Sequence, residues 1–144
     1  MALFLLIEGM NLLTVRSKTL SESKQTPVNG KNAIGTAEMR ELNQEFSREG
    51  VLELVQMFRG EGSLLLERMG AAVERQDGEA LGRAAHALRG AGMNFGAQFL
   101  NELCQEIESR ARARDCLRAT TLILQVREEW GRVLTALQTE CCAA

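Results

Sequence analysis

The stretch AAHALRGAGMNFGA, residues 84 to 97, holds the only histidine of the chain. An imidazole can act as a general base, a metal ligand or a nucleophile. No triad partner is evident for a general base, and no acidic metal cluster stands near His86. Its neighbours favour the third role. Successive helical residues turn by about 100°. His86 therefore points about 200° away from Leu88 and away from the face formed by Leu81, Leu88 and Phe95. Its own face carries Gly82, Arg83, Arg89, Gly90, Met93 and Ala97. A glycine inside a helix costs roughly 1 kcal/mol relative to alanine, so a plain solvated face has no need of two. Gly82 and Gly90 give clearance for a partner's backbone or a bulky group. Arg83 and Arg89 flank the ring, where guanidinium groups can hold an anion placed on it. An accessible histidine, cleared surroundings and positive charge make a site for carrying a phosphoryl group.

Such a site needs a rigid helical frame, and the chain supplies one. Leu, Ala, Glu, Arg and Gln abound, and there is a single proline and no tyrosine. Thr36 can cap a short helix with Met39, Leu42 and Phe46 as its stripe. A longer helix is expected over about 50 to 76, with Val51, Leu54, Val55, Phe58, Leu65, Met69 and Ala72 in register. Gly60 and Gly62 interrupt it and argue for a bend. Asp77 or Gly78 marks the next turn. Leu81, Ala84, Ala85, Leu88, Ala91 and Phe95 then form one face of a helix that Asn94 and Gly96 can end. Leu100, Leu103, Cys104, Ile107 and Ala111 make a fourth stripe, closed by RARD. Ile123, Val126, Trp130, Val133, Leu134 and Leu137 make a fifth over about 116 to 138. No period-2 segment competes. Short connections predict antiparallel neighbours, hence an all-α, antiparallel four-helix bundle with a short additional N-terminal helix.

The 144 residues suit one domain with one core. Residues 1–36 are expected to form an arm or linker, and 37–140 the bundle. At 45% hydrophobic, 25% charged and net charge −2, the chain has a soluble composition without the basic footprint of a nucleic-acid binder. The opening MALFLLIEGMNLL is too short to span a bilayer and lacks a positive n-region, so no membrane insertion is expected. Cys104, Cys116, Cys141 and Cys142 fit neither a zinc site nor a disulfide framework. Reduced thiols and a cytoplasmic protein are expected. The final CCAA lacks the upstream basic cluster of a prenylation box.

The segment HALRGAGMNFGAQFLNELCQEIESRAR resembles the signature of histidine-containing phosphotransfer (Hpt) domains. The carrying residues are His86, Leu88, Arg89, Gly90 and Ala91, then the pair Gly96–Ala97, then the pattern from Leu100 through Cys104 and Ile107 to Glu108. The resemblance implies a four-helix bundle whose exposed histidine accepts phosphoryl from a receiver-domain aspartate or a histidine kinase and passes it to another receiver aspartate. It makes His86 the phosphoacceptor. Arg89 replaces the usual lysine beside the phosphate, and Gly90 permits receiver approach. Glu108 falls where some members have glutamine, and Arg112 where some have arginine. Ala91 and Gly92 replace a frequent serine pair. An acidic Glu108 is expected to repel phosphate if it lies close.

Partners are thus receiver domains of response regulators and hybrid histidine kinases in a multistep phosphorelay. The Mg²⁺ that transfer requires belongs on the partner receiver, and no cofactor of its own is expected. No P-loop or kinase glycine loop is visible, so the chain reads as a stoichiometric carrier, not an enzyme. The competing reading is a non-transferring adaptor that docks on a receiver or kinase and acts by occupancy. The presence of His86 stands against it.

Overall fold

The computed structural model describes residues 33–142. The apolar N-terminal run, most of the polar arm and the two final alanines lie outside the described residues. Five helices follow one another: α1 (Thr36–Glu45), α2 (Arg48–Glu74), α3 (Gly78–Met93), α4 (Gln98–Arg112) and α5 (Cys116–Cys142). No strand occurs among the described residues. Each of α2 to α5 packs against the next, and α5 returns to α2, which closes a four-helix bundle. Short α1 sits against α2.

The turns explain the antiparallel course. After α2, Asp77 N–H donates to Ala72 carbonyl (2.8 Å) and Gln76 N–H to Val73 carbonyl (3.0 Å). After α3, Ala97 and Gly96 repeat this pairing with Gly92 and Met93, and after α4, Asp115 and Arg114 repeat it with Arg110 and Ala111. Each turn is a Schellman closure around one left-handed residue: Gln76 (φ 55°), Gly96 (φ 64°) and Arg114 (φ 59°). Only Gly96 is a glycine, so at the other two reversals the left-handed residue itself was not marked in the sequence. Asp77 then starts α3 by accepting from Ala80 N–H at 3.0 Å, and that bond holds its carboxyl below the ordinary carboxylate value.

Three expected boundaries shift. Thr36 does not cap α1. Gly35 occupies that position and has no side chain to cap with, while its N–H donates to Phe95 carbonyl at 2.8 Å. The two backbones cross so closely that a Cβ on Gly96 would meet Gly35 Cα at 2.7 Å. Ser47 opens α2 by accepting from Gly50 N–H at 3.0 Å. At the far end α5 runs to Cys142, where Arg48 donates to Cys141 carbonyl at 2.8 Å and satisfies part of the helix terminus.

Gly60 and Gly62 do not break the helix, since α2 runs through them as one helix of 27 residues. Phe58 explains why. Its ring stacks at a tilt on Phe95 and on Trp130, both with centroids 4.8 Å apart. A Cβ on Gly62 would overlap the Trp130 indole, so this glycine is a socket for the largest core side chain. Gly60 faces open space. All the stripe residues expected on α4 and α5 are buried, and on α3 only Ala91 is merely half-buried while Gly92 joins the core.

Gly62→Ala is expected to destabilise the bundle by about 1–3 kcal/mol through overpacking. Gly60→Ala is expected to stabilise it by up to about 1 kcal/mol through helix propensity. Urea unfolding followed by the fluorescence of the single Trp130 distinguishes the two.

Candidate functional site

α3 separates two faces. Leu81, Ala85 and Leu88 are fully buried, while the His86 side chain is 71% exposed. The ring is held from one side only. Its Nδ1 lies 3.5 Å from Glu108 Oε1 and 3.3 Å from Arg89 Nη2. Both contacts belong to Nδ1, on one side of the ring.

Glu108 comes from α4, whose other inward residues are apolar. It retains only 8% of its surface. A carboxylate at such a place must be paired. Arg89 meets it with a fork: Nε to Oε2 at 2.8 Å and Nη2 to Oε1 at 3.4 Å. Burial pushes the Glu108 carboxyl up. The hydrogen bond and charge of Arg89, with a smaller contribution from His86, outweigh burial and leave it below its ordinary value of 4.5. The Arg89 guanidinium is raised in turn, first by the hydrogen bond to Glu108 and then by its charge. Cys104 lies one turn before Glu108 as a buried free thiol, pushed up to about 12 by burial and then by Glu108, with Arg89 opposing.

This geometry corrects several expectations. Arg89 does not stand free to hold an anion, because its fork is occupied by Glu108. Glu108 stands beside Nδ1 of the ring. Arg83 is drawn from the ring to Glu79, one turn earlier, at 3.3 Å. Gly82 is half-buried, and a Cβ there would make an ordinary contact with Ala111 Cβ at 3.5 Å. Ala97 is fully buried at the start of α4 and cannot belong to a docking surface. Of the α1 stripe, Met39 is buried and Leu42 half-buried, and only Phe46 is exposed.

Two expected docking residues do present themselves. Gly90 is exposed, with nothing within 4 Å of where its Cβ would be. Met93 is 57% exposed. Arg112 is exposed along a groove that it shares with Gly82 and Glu108, and it has no ion pair among the described residues. The pairing of Arg89 with Glu108 is the feature that sequence reading missed. The residues are 19 apart on different helices, and the one available signal was an acid placed between Ile107 and Ala111 on an apolar stripe.

Residues 53–140 match the family model of the Hpt domain. The chain is also similar to a solved structure, histidine-containing phosphotransfer protein B (HptB) from Pseudomonas aeruginosa PAO1, with a TM-score of 0.74 and 26% identity. That match covers 80% of this chain and 99% of the other. No curated protein matches the chain.

Arg89→Ala is expected to lower the melting temperature at neutral pH, because it strands the Glu108 carboxylate. Glu108 has a lowered folded pKa, so its contribution is present above the ordinary value and is lost as pH falls through the lowered one. The gap between wild type and Arg89→Ala should therefore be full at neutral pH and close in acid. Thermal melts across that range check it, and a pH-independent gap would contradict the pairing.

Proposed function

The chain belongs to the family of Hpt domains, and from that premise we propose that His86 is its phosphoacceptor. Hpt proteins are phosphocarriers of two-component phosphorelays, and their partners are receiver and kinase domains. The finer reading is that His86 accepts phosphoryl from a receiver aspartate, or from a histidine kinase, and passes it to the aspartate of a response regulator. The observation that carries it is the exposed ring, engaged only at Nδ1, beside the open surface of Gly90.

The chemistry asks little of this chain. Nε2 attacks the phosphorus of an aspartyl phosphate in line, and the bond from phosphorus to the carboxylate oxygen breaks. Positioning and charge lower the barrier. Mg²⁺ is supplied by the receiver's acidic cluster in this reading. Gly90 and Met93 form the surface that the receiver covers, with Gly90 giving its active-site loops room to reach His86. Among the described residues no helix is long and apolar enough to cross a membrane. We place the protein in the cytoplasm, where its thiols stay reduced.

His86→Gln is expected to abolish labelling by a phosphorylated receiver while helicity and melting stay nearly unchanged, because the side chain is mostly solvated. Label retained on the variant would remove His86 from the site. A wild type that binds receivers yet takes no label would instead be an adaptor.

Gly90→Gln should block receiver binding and transfer with the bundle intact or slightly stabilised. Affinity and transfer unchanged in that variant would place the partner on another side.

A further inference from the structure

α2 buries one face and leaves the other to solvent. Val55, Phe58, Gly62, Leu65 and Met69 turn inward, and the helix packs on α3 and α5. On the outer side Met57 is 65% exposed and Leu64 is 44% exposed, with Gly60 between them facing open space. We propose that this outer stripe, from Glu53 to Arg68, is where a second copy of the chain packs. The two α2 helices lie antiparallel, related by a two-fold axis that passes between Gly60 and Glu61.

At about 100° per residue, Glu53, Met57, Gly60, Leu64 and Arg68 fall on one side of the helix. They recur every three to four residues, as a seam between two helices requires. A single exposed apolar side chain is ordinary. Here two stand in line with a glycine between them that touches nothing in its own bundle. Glycine is costly inside a helix, and Gly60 has no packing duty such as Gly62 has. On a seam it has one, because the distance between two helix axes is set by the side chains at the contact and Gly60 contributes none.

The charges select the occupant. Glu53 and Arg68 are exposed, and neither has an ion pair among the described residues. On α2 itself the residues three and four away from each carry no opposite charge. A two-fold contact is self-complementary, so that when residue i meets residue j, j meets i. About an axis between Gly60 and Glu61, Met57 stands opposite Leu64 and Glu53 opposite Arg68, and each pair forms twice. A parallel arrangement would set Glu53 against Glu53 and Arg68 against Arg68, which charge forbids. An unrelated partner requires no such match of the stripe with its own reverse. Glu61 meets its copy near the axis, and a single helix face is a small interface, so the dimer is one that forms and dissociates readily.

Sedimentation of the full-length chain, from micromolar to millimolar concentration, is expected to show wild type passing from monomer to dimer. Glu53→Arg and Arg68→Glu each replace two attractive pairs by two repulsive ones and should weaken association by roughly tenfold or more. Glu53→Arg combined with Arg68→Glu restores both pairs in the reversed sense and should bring association back close to wild type. All these side chains are exposed, so helicity and melting temperature should hold in every variant, and rescue in the double variant excludes misfolding as the cause of the loss. A wild type that stays monomeric throughout overturns the proposal. So does an association that the single swaps leave unchanged, which would lie elsewhere on the chain, or one that the double swap does not rescue. Met57→Glu tests the other occupant: a monomeric wild type whose affinity for a receiver domain falls in that variant would give the stripe to the receiver instead.

Discussion

A carboxylate cannot sit at the margin of an apolar core without a partner, and Glu108 places that demand on this bundle. The rest of α4 that points inward is Leu100, Leu103, Cys104, Ile107 and Ala111. The guanidinium that answers Glu108 is that of Arg89, which reaches across from the neighbouring helix α3. This ion pair ties α3 to α4 at the level of His86 and gives the exposed ring a fixed side.

That pairing works because the two helices come close. α3 is built of small residues where it meets α4: Gly78, Gly82, Ala85 and Gly92. A Cβ on Gly78 would lie 2.8 Å from Ala111 carbonyl, and one on Gly92 would lie 2.5 Å from Asn101 Oδ1. The glycines of α3 thus divide by duty. Gly78 lets the α4 backbone approach and Gly92 makes room for the Asn101 side chain, at a cost in helix propensity of roughly 1 kcal/mol each. Gly90 alone points to open space beside the histidine and has no packing reason to be there. The same division holds on α2, where Gly62 receives Trp130 in the core and Gly60 faces open space.

The helices and their buried faces were legible because helical periodicity is local. Each stripe repeats every three to four residues, and a residue's side of the helix follows from counting. Thus Leu88 and His86 could be assigned to opposite faces, as the burial bears out. Helix ends were less legible. Gln76 and Arg114 take left-handed conformations that glycine would advertise and they do not. Ala97 was misplaced for a related reason: beyond the end of α3 the count of 100° per residue no longer applies, and the chain turns it inward.

The sequence by itself determined the class of fold, the face on which His86 stands and the open ground at Gly90, since all three depend on spacing within single helices. Tertiary structure alone decided how the charges around the ring are shared. Arg83 and Arg89 are equivalent by count, three residues either side of His86. Yet one pairs with Glu79 on its own helix and the other crosses to Glu108 on the next. The choice is made by which side of α3 meets α4 and by the need of a buried carboxylate for a partner. Neither is written in the distance along the chain.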